Sequence, residues 1–411
     1  MPVTPASSPP IVFRRATFFL ALLASMGIVS FAESQPRARA DAPTLPDSLF
    51  RPLTAPALLP FGYPANDTHK PTILEFIRTR RFEELEGLLS ALHQAVREDI
   101  RHEMRLVTAF EAVKRNDERL LSNINTWIET RPGSADALVA RATYNLAAAW
   151  RTRGYKYVRD TPESRLRGMG ARLELTVEDA RAALAIDSTH LIAYDILLEV
   201  IQLGGAHGIG VQILQRGLAV HPASYLLRAS FMETLKPRWG GSYELMGAFA
   251  EASAKDSARN PRMVTLRGSA LQEQAFTLIA PLPEDSLLPR DYRSAIDSLT
   301  RALEYGPAHD VFLDRGEAYS RLGDHVRAFL DYRQALILNP QRTEILAAYG
   351  NTLVHIASRT TRPIRGSMID RAAEALALAV YLDPTDRTSA QNLQWARYAR
   401  QQCVRLNPPC R

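Results

Sequence analysis

The apolar and small positions of residues 309–340, HDVFLDRGEAYSRLGDHVRAFLDYRQALILNP, describe two antiparallel helices closed by Asn339-Pro340. Gly316 and Ala328 are small enough to let the two approach closely, while Phe312, Tyr319 and Tyr332 fill the space between this pair and the next. The same spacing recurs over 343–384, with Leu346, Gly350 and Leu353 followed by Ala372, Leu376 and Pro384, and upstream at Ala295, Leu299 and Pro307. In all three second helices the small residue stands twelve positions before the Pro and the large one four positions after the small. Farther upstream the pattern decays. Gly210, Leu214 and Pro222 keep the spacing, and Ala183-Leu184-Ala185-Ile186-Asp187-Ser188 ends a helix much as 335–340 does. Leu120, Ile124 and Pro132 keep only the apolar stripe and the stop, and Phe249 replaces the small residue ahead of Pro261.

Phe312, Gly316, Tyr319, Ala328, Tyr332 and Pro340 resemble the tetratricopeptide (TPR) family, departing from its pattern only at Arg315. The resemblance implies an all-α fold, a TPR-like right-handed α-solenoid of antiparallel helix pairs, with roughly 15 to 17 helices. The helix stops at Pro132, Ser188, Pro222, Pro261, Pro307, Pro340 and Pro384 are 56, 34, 39, 46, 33 and 44 residues apart. The excess over one repeat falls at 154–170, 236–241, 278–289 and 358–367, each expected as a turn on one edge, where a binding face or tolerated drift are the two readings. In peptide-binding TPR proteins the first helices line a concave groove. Here those positions are Asp310, Leu313, Glu317, Ser320 and Arg321, then Glu344, Ala347, Asn351, Val354 and His355. This mix has no basic set for an acidic C-terminus, and Glu317 stands where that clamp takes Asn. The insertion turns are more basic, with Arg153, Lys156, Arg159, Arg165 and Arg167 at the first and Arg359, Arg362 and Arg365 at the last. On a shared edge they would favour an anionic partner.

Trp127, Arg131-Pro132, Ser134, Ala140, Trp150 and Arg153-Gly154 form one further set of landmarks, and Lys236-Pro237-Arg238-Trp239-Gly240-Gly241-Ser242-Tyr243-Glu244 with Met246 another. Together, over 82–258, they resemble a bacterial domain-of-unknown-function family that often accompanies TPR segments, which implies a helical domain with no assigned activity. Physically, Pro237 ends one helix, Gly240 and Gly241 permit backbone angles closed to other residues, and Ser242 can cap the next helix. Trp239 is expected to pack between helices. The alternative is a small anion site, made by free N–H groups at the helix start beside Arg238.

At the amino terminus, Arg14-Arg15 precedes a short apolar run, ATFFLALLASMGIVSFA, with Ser30-Phe31-Ala32 and Ala38-Arg39-Ala40 as two cleavage ends. This predicts an export signal over 1–32, or to 40, with an uncleaved anchor as the alternative and the one membrane link. Residues 41–71 are Pro-rich and read as a linker or strap. A degenerate helical domain over 72–260, TPR-like repeats over 261–400 and a tail over 401–411 follow. Cys403 and Cys410, the two cysteines, suit a disulfide in an oxidising compartment, with two unpaired thiols as the alternative. Hydrophobic residues make up 46% of the 411 and the formal charge is +6, mild and interleaved with acids, which excludes disorder as the default and argues against nucleic acid. The nine His are scattered without helical metal spacing, and no nucleotide loop or hydrolase motif is present. No catalytic residue, metal or cofactor is expected. The reading is an exported scaffold for a protein or peptide partner, or else a small-ligand or cell-wall-fragment binding module with a pocket near Trp239.

Overall fold

The computed structural model describes residues 58–66, 69–154, 161–204, 207–279, 287–359 and 365–406. The export signal, most of the Pro-rich segment, Lys156, Arg159, Arg362 and Cys410 lie outside them, as does the side chain of Cys403. Among the described residues are 17 α-helices and no strand. They run α1 Lys70–Arg78, α2 Phe82–Glu98, α3 Glu103–Glu111, α4 Glu118–Thr130, α5 Ala135–Arg153, α6 Glu163–Ile186, α7 Leu191–Gly204, α8 His207–Val220 and α9 Tyr225–Thr234. Then come α10 Tyr243–Ala254, α11 Ser269–Ile279, α12 Pro289–Leu303, α13 His309–Arg321, α14 His325–Leu338, α15 Thr343–Arg359, α16 Arg365–Leu382 and α17 Arg387–Leu406.

Local chemistry sets the helix starts. The side-chain oxygens of Asp117, Ser134, Ser224, Ser242 and Asp324 each accept from a backbone N–H in the first turn of α4, α5, α9, α10 and α14. Pro289 opens α12, whose buried Tyr292, Ala295, Ile296, Leu299 and Ala302 form a single stripe. Antiparallel neighbours pack in chain order, α5 on α6, α13 on α14, and α15 on α16. The close approaches fall at the small residues. A Cβ on Gly316 would come within 2.7 Å of the Tyr332 ring, and one on Gly350 within 2.6 Å of Leu376. One buried apolar cluster extends from Ile73 to Ala396, and a smaller one under α11–α13 includes Ala275, Ile296 and Val311.

The longest apparent insertion, 154–170, differs from the turn expected of it. Helix α6 already begins at Glu163 and runs 24 residues. Gly168 lies inside it against Thr152 of α5, where a Cβ would approach to 2.9 Å, so close helix packing accounts for a glycine that reads locally as a turn residue.

The solenoid also meets itself. The Lys70 backbone N–H donates to Gln341 Oε1 (3.1 Å), and Lys70 Nζ reaches both the Gln341 carbonyl (3.0 Å) and Glu111 (2.9 Å). Arg78 donates to Tyr381 Oη at 3.2 Å and Arg115 to the Tyr381 carbonyl at 3.0 Å. The first helices are therefore docked on the last repeats, across sequence separations of 266 to 303 residues. Two further ties cross the interior. Glu103, fully buried, accepts from Ser224 Oγ and from the N–H groups of Tyr225 and Leu226 at the start of α9. Tyr63, buried in the described end of the Pro-rich segment, donates to Asn260.

Candidate binding site

Inside this closure lies a cavity of ≈650 Å³. Its wall is charged. Lys114, Arg151, Lys236, Arg238, Arg342 and Arg387 supply the cations, and Glu273, Asp310, Asp314, Glu317, Glu344, Asp383 and Asp386 the carboxylates. The signs nearly balance. Leu313, Ala347, Phe276 and Ile279 add apolar surface. The lining comes from the first helices of the repeats, α13 and α15, together with the residues before α17, part of α11, and the 236–238 turn.

The turn is built tightly. Pro237–Trp239 forms one 3-10 turn, Gly240 adopts a left-handed φ of 87°, and a Cβ on Gly241 would sit 1.9 Å from the Leu235 carbonyl oxygen. Trp239 is buried and meets Trp150 edge-on at 6.4 Å between centroids. The N–H groups of Trp239, Gly240 and Gly241 donate to carbonyls within the turn, and that of Leu245 to Ser242 Oγ. These bonds occupy the N–H groups of the turn itself. Arg238 instead pairs with Glu273 of α11 at 2.9 Å and stacks on Phe276 at 3.9 Å. Lys236, almost wholly buried, joins the same carboxylate at 3.8 Å and Glu233 at 2.6 Å.

Of the groove positions read from the repeats, Asp310, Leu313, Glu317, Glu344 and Ala347 face the cavity. Burial and the neighbouring Asp314 push the Glu317 carboxyl well above the ordinary carboxylate range, which favours its neutral form. Its Oε1 is buried without a hydrogen-bond partner, and Arg321 stands 3.7 Å away. Burial likewise pushes His309 down to about 4, leaving a neutral ring that accepts from Arg342 at 3.1 Å. Asn351 and His355 stand apart. Asn351 accepts from Asn392 at 2.8 Å, tying α15 to α17, and the His355 ring meets that of His325 at a tilt of 45° with 3.7 Å between centroids. Arg359 and Arg365 flank the 360–364 stretch outside the described residues, whereas Arg153 is buried and lies 5.9 Å from the Trp150 ring centroid, away from any exposed basic edge.

Lys114, Gln272, Glu273, Arg342 and the 383–388 acidic turn were not legible as site residues. So too a cluster of His93, Asp136 and His190, with His93 and Asp136 2.8 Å apart. Each belongs to an unremarkable helix or turn locally, and only the closure and packing bring them together.

The helices and their pairing define a TPR-like α-solenoid. Residues 69–217 are similar to a domain of unknown function, DUF4034, a match that ends before the 236–246 run. Among solved structures, the chain resembles the Cut9-Hcn1 hetero-tetramer of the APC/C at 15% identity and a TM-score of 0.34, covering 80% of this chain and 54% of that one. It thus spans about half the length of that neighbour. It also resembles Pseudomonas aeruginosa pilF (14% identity, TM-score 0.28, 66% and 99% covered) and a TPR protein of Thermus thermophilus (16%, 0.24, 62% and 99%). No curated protein matches. With scores this low, the solenoid assignment rests on the helices themselves.

Proposed function

We propose that this chain is a non-catalytic scaffold that receives a segment of a partner protein carrying both charge signs. The observation that carries the reading is the wall of the ≈650 Å³ cavity, where first-helix residues of the repeats meet cations from the 236–238 turn and from the far end of the chain. Such a surface selects by charge pattern, since any unmatched buried charge is strongly disfavoured. A ligand of a single sign would set like charges against part of the wall, so the expected partner segment is mixed rather than simply anionic. Export is part of the proposal, supported by the Arg14-Arg15 flank and the apolar run after it.

A photoreactive residue at Leu313 or Ala347, inside the cavity, tests this in the native cell. The expected result is a discrete protein adduct from these two positions and none from exposed Leu175 or Leu245. Equal labelling from the outward positions would count against it. A second reading, a small zwitterionic ligand, is favoured by the enclosed volume, which lies within the usual range for such sites. Native mass spectrometry showing a small bound mass in place of a protein adduct would select it.

A further inference from the structure

Three side chains that the cavity does not use meet at one point. His93 comes from α2, Asp136 from the first turn of α5, and His190 immediately precedes α7. Their candidate ligand atoms all lie within 4.8 Å of one another. Both imidazole Nε2 atoms address the same oxygen, Asp136 Oδ1, at 2.8 Å from His93 and 3.0 Å from His190. The two rings stand edge to face with 4.8 Å between centroids, and Phe110 packs against both. His190 is buried, whereas the side chains of His93 and Asp136 keep 13% and 17% of their exposure. One side of the cluster is therefore open.

The cluster sets two imidazole Nε2 atoms on one carboxylate oxygen. The other nitrogen of His190, Nδ1, is buried without a hydrogen-bond partner. A cation at the junction would use the Nε2 lone pairs of both rings and the carboxylate oxygen at once. Two imidazoles and one carboxylate are a donor set for zinc-like transition metals rather than for magnesium or calcium, which take oxygen ligands. With metal–ligand bonds of about 2.0–2.1 Å, tetrahedral geometry sets neighbouring ligand atoms about 3.3 Å apart. The present N···O separations of 2.8 and 3.0 Å would open by a few tenths of an ångström, and the third edge, within 4.8 Å, would close toward about 3.3 Å as metal draws the two rings together.

We propose that His93, Asp136 and His190 form a three-ligand site for a divalent transition metal of the zinc class, with solvent on the open side. Bound metal would join α2, α5 and α7. All three residues lie within the 69–217 stretch, so the site would belong to that part of the chain and is independent of what the cavity holds.

The untagged full chain, stripped with chelator, is titrated with Co²⁺ followed by its visible absorption, and then with Zn²⁺ in competition with a chromophoric chelator. The expected result is one equivalent bound with a low-symmetry cobalt spectrum. His93→Ala and Asp136→Asn, both at partly exposed positions, should weaken binding on the order of a hundred-fold or more while leaving the helical circular dichroism unchanged. His190→Ala should do the same, but the two partly exposed variants decide, because loss of a buried ring can also unfold the chain. The neighbouring His325 and His355 pair is the internal control, and His325→Ala should leave the stoichiometry at one. Absence of a stoichiometric site in the parent chain, binding that survives both His93→Ala and Asp136→Asn, or binding abolished by His325→Ala would each overturn the proposal.

Discussion

Glu273→Gln is the sharpest test of how the 236–241 turn is held. Glu273 is fully buried and faces Arg238 at 2.9 Å and Lys236 at 3.8 Å, both nearly buried themselves. Removing the negative charge that the two share keeps Lys236 on Glu233 at 2.6 Å and Arg238 on the Phe276 face at 3.9 Å. Breaking a buried ion pair at one end costs about 3–5 kcal/mol. The remaining partners, and the cavity from which water can reach both cations, place the expected loss near the lower limit, about 3 kcal/mol. Urea unfolding followed by circular dichroism measures it, in a cycle with Arg238→Met and the double variant. The double variant should be less destabilised than the sum of the singles, with a coupling of at least about 1.5 kcal/mol, because the second change removes the charge that the first left stranded. A loss below about 1 kcal/mol for Glu273→Gln, with additive singles, would refute the reasoning.

Gly241→Ala should destabilise by about 3 kcal/mol or more, through overlap with the Leu235 carbonyl, and Gly240→Ala by only about 1–2 kcal/mol, through its left-handed φ; thermal melts of the two give the order directly. Glu103→Ala strips the start of α9 of its buried acceptor and should cost on the order of 3 kcal/mol, with amide exchange accelerating first at Tyr225 and Leu226. At Glu111 burial opposes ionisation, but the Lys70 and Lys114 ammonium groups more than offset it and hold the carboxyl down at about 2, against an ordinary 4.5. A group depressed on folding stabilises fully above its unfolded value and loses that contribution as the pH falls, here between about 4.5 and 2, to a limit of about 3 kcal/mol. The urea midpoint should accordingly drop between pH 5 and 3, and Lys70→Met should flatten that slope by up to about one proton.

What could be read from the chain alone was whatever repeats locally. The close approach of Gly316 to Tyr332 and of Gly350 to Leu376 follows from a small residue and a large one at a fixed helical spacing, and the structure places each pair in contact. The groove positions Asp310, Leu313, Glu317, Glu344 and Ala347 follow from the same register, because first helices of stacked pairs share one face. The wall opposite them was hidden. Lys236 and Arg238 read as a turn, and their partner Glu273 as one more polar helix position, until packing set α11 beside them. The closure was hidden for the same reason, since Lys70 and Gln341 are 271 residues apart and no periodicity links them. Residues 163–170 were misread through the spacing of the stops, whose excess falls at 154–170 and suggests a turn there. Gly168 and Gly170 both lie within α6, and Gly168 gives the close approach to α5.

Everything assigned to the cavity depends on the first helices resting on the last repeats. The direct measurement is the distance between spin labels at Thr79→Cys and Pro384→Cys, exposed positions flanking the Arg78–Tyr381 contact, by pulsed electron paramagnetic resonance on the full chain with Cys403 and Cys410 replaced by Ser. A closed solenoid gives a single narrow distribution at short range, unchanged by the labels' order of attachment and lost on adding urea. A broad distribution centred at long range under native conditions would mean that the solenoid is open, and would contradict the enclosed site.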